Sequence, residues 1–366
     1  LEDGTEKSIR LTRIHMEEDA GKNIHVSDTN ESFVDLNRAG TPLLEMVSYP
    51  DISSSYEARK YLEELRLTVI YLGICSGNME EGAFRADTNI SVRKKGQKEL
   101  GTKCELKNIN SFKFISDAIE YETKRQIDLL ESGQKVQQET RLWNSKKGET
   151  ETMRIKEEAA DYRYFDDPDL PLIVVLDEEI ARVKESMPEL PSEKYHRFIQ
   201  GGLTPYEAEV LIQDLDIALF YEKAHALNPS KQLINWILRD LMGSLKATKT
   251  PVKESLITPS HVAHLLELIE QGAINNRGAQ EIFAEMAATG KEPRAIMVEK
   301  GLEQMDNSAE LEGIIAQILA ENPESVALYK AGRDKLWGFF VGQAMQKTKG
   351  KGNPQTINEL LKKLLQ

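Results

Sequence analysis

CELKNINSFKFISDAIEYETKRQIDLLESG, residues 104–133, joins two kinds of pattern without a break. Its first residues complete TKCELKN, which reads as a short strand, and SFKFISDAIEYETKRQIDLLESG reads as a long helix capped by Ser111 or Asn110 and closed by Gly133. A strand that runs straight into a helix points to mixed α and β structure, and its neighbours agree. SIRLTRIHM has near-alternating apolar positions and suits a strand. DISSSYEARKYLEELRLTVIYLGI reads as a helix with Ser53 or Ser54 as its cap, a stripe of Tyr61, Leu62, Leu65 and Ile70, and Gly73 near its end. FRADTNISVRKKG (84–96) alternates, with Phe84, Ala86, Thr88, Ile90 and Val92 on one face and Arg85, Asp87, Asn89, Ser91 and Arg93 on the other. QETRLWNSKKGETETMRIK looks like a hairpin with Lys-Lys-Gly in its turn.

DDPDLPLIVV, with two prolines and no clear period, resembles a domain boundary. After it nearly every segment has helical character, from DEEIARVKESM to NPQTINELLKKLL, and KATKTPVKESLITPS marks a second, weaker break. The expected fold class is therefore α+β. A mixed-sheet first domain (1–175) precedes an all-α helical domain (176–250) and an all-α tail domain (251–366). A chain of 366 residues exceeds what one hydrophobic core usually serves, which fits two or three domains.

Composition narrows the function classes. No apolar run reaches the roughly 18 residues of a membrane helix, and LEDGTEKSIR is too polar for a signal peptide. Only Cys75 and Cys104 occur, so an all-cysteine zinc site is excluded, a disulfide framework is not expected, and a cytoplasmic location is. The chain opens on Leu1 instead of Met, as a fragment or processed product would. Net charge is −13, yet residues 333–366 carry +5, so the rest holds −18. Such a local basic surface suits a phosphate backbone as well as a solvated helix end.

Several stretches carry candidate chemistry. HMEEDAG (15–21) is either a wet turn or a metal site. The polar face through Arg85, Asp87, Asn89 and Ser91 is either an exposed sheet face or the floor of a polar cleft, where Asp and Asn oxygens suit a hard cation. CELKNINSF places Glu105, Lys107, Asn108, Asn110 and Ser111 at a strand-to-helix junction, which serves as a plain cap or as a phosphate site. AADYRYFDDPDLP reads first as a structural hydrogen-bond knot around Arg163. His261 and His264, without acids at metal-binding spacing, suit helix-surface or core roles. No HExxH, GxSxG, Walker or GxGxxG signature is present.

Taken in order, HMEEDAG, DLNRAGTPLLEMVSYPDI, RADTNISVR, ELKNINSF and YRYFDDPDLPL closely resemble the GatB family of aspartyl/glutamyl-tRNA(Asn/Gln) amidotransferases. GFFVGQAMQKTKGKGNPQTINELL resembles that family's YqeY-like tail. The resemblance spans essentially the whole chain. The family begins with a further segment bearing a Gly-Leu-Glu-Val-His strand, so the resemblance implies an N-terminally truncated cradle-type catalytic domain. It also implies a heterotrimer. A glutaminase subunit (GatA) releases ammonia. GatB uses ATP and Mg²⁺ to phosphorylate the side-chain carboxylate of Glu-tRNA(Gln) or Asp-tRNA(Asn), and a third subunit (GatC) straps the other two together. By residue-level match, Glu17 and Glu105 become the metal ligands, with Asp87, Asn89 and Lys107 as further catalytic candidates. Arg85, His15, Asn108, Asn110 and Ser111 become substrate or ATP contacts, and Arg38 shapes the same cleft. Lys347, Lys349 and Lys351 in the basic tail are the expected tRNA contacts. An alternative reading of the chain as it stands is a non-catalytic tRNA-binding and scaffolding module.

Overall fold

The computed structural model describes residues 5–25, 31–155, 168–169, 171–304, 308–348 and 352–365. The chain divides into two compact units, Leu1–Glu193 and Lys194–Gln366.

In the first unit, strand β1 (Leu11–Glu18) forms an antiparallel ribbon with β4 (Pro42–Ser48). Strands β2 (Lys22–His25) and β3 (Ser32–Asp35) form a second ribbon between them in sequence. Helix α1 (Ser55–Tyr71) starts at Ser54, whose hydroxyl accepts the Glu57 N–H, and gives way to Gly73 at φ 69°. A four-stranded sheet follows in the order β5 (Thr88–Ile90), β6 (Cys104–Lys107), β7 (Glu139–Asn144) and β8 (Glu149–Ile155). Strand β6 is antiparallel to β5 and parallel to β7. Parallel neighbours need a crossover, and α2 (Phe112–Glu131) provides it. The expected hairpin is β7–β8, and Gly148 takes φ 70° in its turn.

The strand expected over residues 84–93 shrinks to Thr88–Ile90. Asn108 sits at φ 64°, a left-handed conformation that asparagine tolerates better than most residues, and it ends β6. Continuing the register beyond Thr88↔Leu106 would set Asp87 against Lys107 and Ala86 against Asn108. The chain before Asp87 therefore has no strand to pair with. At the other end, a Cβ on Gly101 would lie 2.2 Å from the Val92 carbonyl oxygen, so this close backbone approach needs glycine.

Helix α2 covers one face of the sheet. Ile115, Ala118, Glu122 and Gln126 lie on one helical stripe, and all are buried. The first two join Leu106, Ile109 and Trp143 in an apolar cluster. The last two enter a buried polar network. The Glu122 carboxylate accepts bonds from Arg125 (2.7 and 2.9 Å), Gln126 (2.8 Å) and Thr150 (3.0 Å). Arg141 lies 3.4 Å from the same carboxylate and donates to Glu139 at 2.7 Å. Burial pushes the Glu122 carboxyl upward, but the Arg125 and Gln126 bonds outweigh it and leave it below its ordinary value. Cys104, beside this network, is pushed up to about 11, first by burial and then by the Glu122 charge.

Every helix or strand assigned among the described residues of the second unit is a helix. One apolar cluster runs from Phe198 to Met297. It draws on α4 (Pro191–Gln200), α5 (Pro205–Ile212), α6 (Leu215–Leu227), α7 (Leu233–Asn235), a π-helical stretch (Trp236–Leu241), α9 (Pro259–Glu270), α10 (Asn276–Thr289) and α11 (Pro293–Lys300). Leu241 and Ile257, on either side of residues 250/251, share this cluster. The π-helical stretch interrupts a segment expected to be plain helix and is followed by α8 (Met242–Thr248). A separate cluster is built from α12 (Ser308–Glu321), α14 (Leu336–Lys347) and α15 (Pro354–Leu365). The short α13 (Pro323–Lys330) was not read from the sequence as an element of its own. Helix α3 (Asp177–Ser186), in the first unit, buries none of its residues.

Glu122→Ala should destabilise the first unit by about 3 kcal/mol, because it removes the main partner of the half-buried Arg125 and leaves the buried Gln126 and Thr150 each short of a hydrogen bond. Urea dependence of amide exchange in β6 and β7 measures this, and an unchanged midpoint would refute it.

Candidate functional site

Strand β6 separates two chemistries by alternation. Cys104 and Leu106 point to the buried side, while Glu105 and Lys107 occupy the other face. Asn89 lies opposite Glu105 on β5, and Thr140 pairs with Glu105 on β7. Thr140 donates its hydroxyl to Glu105 Oε2 at 2.9 Å. Lys107 Nζ lies 3.4 Å from Glu105 Oε1 and 2.5 Å from Asp87 Oδ2. The result is an ammonium between two carboxylates on a half-open polar face. Burial lowers the Lys107 pKa, but the Asp87 bond and the charges of Asp87 and Glu105 outweigh it and hold the ammonium above its ordinary value.

A second cluster forms where β1 ends. Asp19 Oδ2 accepts Arg38 Nε at 2.7 Å and Arg85 Nη2 at 3.0 Å. Arg38 Nη1 also donates to the carbonyls of Glu81 (3.1 Å) and Gly82 (2.9 Å). The Asp19 N–H reaches the Thr41 carbonyl at 2.8 Å. These bonds clamp the ribbon's end to the segment that leads into β5. The Arg38 bond foremost, with help from Arg85 and against a desolvation cost, holds the Asp19 carboxyl below its usual range. Of the acids in HMEEDAG, Asp19 thus has a structural role. Arg85 lies outside the short β5, so strand alternation does not set its direction, and its guanidinium bonds to Asp19.

The GatB/GatE catalytic domain family matches residues 1–181, and the GatB domain family matches residues 218–365. The GatB protein of the aspartyl/glutamyl-tRNA(Asn/Gln) amidotransferase of Rickettsia conorii is 50% identical over 364 residues, covering 99% of this chain and 75% of the relative. That of Persephonella marina is 49% identical over 369 residues, covering 100% and 77%. The chain belongs to the GatB family. The same-named protein of Syntrophotalea carbinolica is 50% identical over 367 residues, covering 99% and 76%.

In this GatB chain the other expected site residues are dispersed. Glu17 stands exposed on β1 opposite Leu43, and His15 stands exposed opposite Glu45. Among the described residues no hydrogen bond or ion pair ties either one to Glu105, and no group of three His, Cys, Asp or Glu side chains could hold a metal. Asn108 donates to the Trp143 carbonyl at 3.4 Å, Asn110 is exposed, and Ser111 accepts the Phe114 N–H at 3.1 Å as the α2 cap. Lys347 pairs with Glu321 at 2.8 Å. Lys349 and Lys351 lie outside the described residues, as does Arg163 with most of AADYRYFDDPDLP. His261 and His264 both approach Glu292, at 3.3 and 3.2 Å, a carboxylate that local spacing could not reveal. Among the described residues no helix is long and apolar enough to cross a membrane. Sequence reasoning missed Thr140, whose place beside Glu105 depends on pairing across 35 residues.

Because the folded pKa of Asp19 is lowered, its pairing stabilises fully above the ordinary carboxylate value of about 3.9 and is lost as pH falls through the folded value. Asp19→Asn should flatten the acid loss of stability in that window. Denaturation midpoints measured between about pH 2 and 5 check this, and parallel curves for the two proteins would refute it.

Proposed function

We propose that this chain is the activating component of a tRNA-dependent amidotransferase. In this reading it uses ATP to phosphorylate the side-chain carboxylate of Glu or Asp misacylated on tRNA. The carboxylate oxygen attacks the γ-phosphorus, and ADP leaves with the bridging oxygen. Ammonia from a glutaminase partner then attacks the acyl carbon, phosphate departs, and the nitrogen gives up a proton to form the amide. A third protein straps the two together in the cytoplasm.

The observation that carries the reading is Lys107 between Asp87 and Glu105, on an open polar face, in a chain of this family. Phosphoryl transfer needs positioning and charge neutralisation more than covalent help. Lys107 supplies a cation for phosphate oxygens, and the exposed Asn89, opposite Glu105 on β5, and Asn110, three residues after Lys107, supply polar contacts. Magnesium is commonly held by one or two carboxylates together with substrate phosphates, and the Asp87 and Glu105 oxygens fit that donor set. A bound magnesium ion would neutralise phosphate charge there. Glu17 enters as a further carboxylate ligand on the sequence resemblance alone. The basic tail helices, including Lys347, are assigned to the tRNA backbone.

In the assembled heterotrimer, Glu105→Gln and Glu17→Ala should leave glutaminase activity intact and lower phosphorylation of Glu-tRNA or Asp-tRNA by roughly 100-fold or more. Transfer of labelled phosphate from ATP reads this out, and wild-type transfer by both variants would overturn the assignment. Lys347→Ala should reduce the salt dependence of tRNA binding by about one phosphate contact. An unchanged slope in a salt titration would remove Lys347 from the tRNA surface.

A further inference from the structure

Thr140 is fully buried, yet it presents a hydroxyl to the polar face of the sheet. The parallel pairing of β6 with β7 places it directly beside Glu105. Its Oγ1 donates to Glu105 Oε2 at 2.9 Å, while Lys107 faces the other oxygen, Oε1, at 3.4 Å. A buried hydroxyl bonded to a carboxylate is a charge-assisted contact, stronger than a neutral one. The threonine is also stiff, because branching at Cβ restricts χ1 in a strand. The next residue on the strand, Arg141, is fixed on the opposite face by bonds to Glu139 (2.7 Å), Thr150 (2.8 Å) and Thr152 (2.9 Å). The buried network below the sheet thus fixes β7, and β7 fixes one oxygen of Glu105 above it.

We propose that Thr140 is a positioning residue for Glu105. Its hydroxyl holds Oε2 and so fixes the orientation in which the carboxylate would meet a divalent cation. This rests on the reading of Glu105 as a metal-binding carboxylate. Groups that orient a ligating carboxylate through a hydrogen bond act on metal affinity without touching the metal or the substrate.

The test uses the full chain in its assembled complex and Mn²⁺ as the probe, with free Mn²⁺ followed by electron paramagnetic resonance. Thr140→Val keeps the side-chain shape and removes the hydroxyl. It should weaken Mn²⁺ binding by about 10–100-fold. Thr140→Ser keeps the hydroxyl and should remain within a few-fold of wild type. The Mn²⁺ concentration for half-maximal phosphoryl transfer should shift in step, with the KM for aminoacyl-tRNA unchanged. Wild-type Mn²⁺ affinity in Thr140→Val, alongside loss of binding in Glu105→Gln, would overturn the Thr140 role and leave the metal reading standing. Equal losses in the Val and Ser variants would also overturn it, because packing and not the hydroxyl would then be at work. Normal Mn²⁺ binding by Glu105→Gln would overturn the metal reading itself and the Thr140 role with it.

Discussion

The Glu122 carboxylate, buried between α2 and the sheet, is the interaction on which the first unit's geometry depends. It takes bonds from Arg125 and Gln126 on its own helix and from Thr150 on β8, with Arg141 of β7 close by. A helix over a sheet usually has an apolar stripe that can slide or rotate with modest cost. Here half of that stripe is polar, and its carboxylate has partners at fixed places on two strands. Buried charges desolvate at a cost that often offsets their attraction, so such a network is weak evidence for stability in itself. Its directional bonds instead favour one placement of the crossover helix. That placement fixes β6 beside β7, and with it the pairing of Glu105 with Thr140.

The polar face then follows from strand periodicity. The residues of β6 on the buried side are Cys104 and Leu106, so Glu105 and Lys107 must appear on the other. Two carboxylates facing one another across this surface would repel, and Lys107 resolves this by standing between them. The arrangement carries one net negative charge and keeps oxygen donors and an ammonium at the surface together. The Asp19–Arg38–Arg85 cluster works differently, as a clasp that ties the β1–β4 ribbon to the segment entering β5.

The second unit shows how little a basic composition says until charges are paired. Residues 333–366 carry +5, but Lys347 pairs with Glu321 and Lys363 with Glu312. Both acids come from α12, outside the basic stretch. Local charge counts therefore overstate the field this end presents to a nucleic acid. The two histidines follow the same logic, since Glu292 approaches both from the cap of a helix that begins at Pro293.

The sequence by itself determined what is local. The short strand at TKCELKN, the caps narrowed to Ser53 or Ser54 and to Asn110 or Ser111, and the helical stripes set most elements, because those signals depend on residues within a turn or two of one another. Ordered motifs such as HMEEDAG and ELKNINSF also made the family legible and drew Glu105, Lys107 and Asp87 into one candidate set. Tertiary structure decided the rest. It cut the strand at 84–93 to three residues, because Asn108 ends the partner strand and leaves the earlier residues no ladder to join. It turned Arg85 to Asp19 and made Thr140 a partner of Glu105. It also converted an unremarked glutamate in α2 into the centre of the buried network. Each outcome depends on contacts between residues far apart in the chain, where hydrogen-bond geometry and burial act and sequence spacing carries no information.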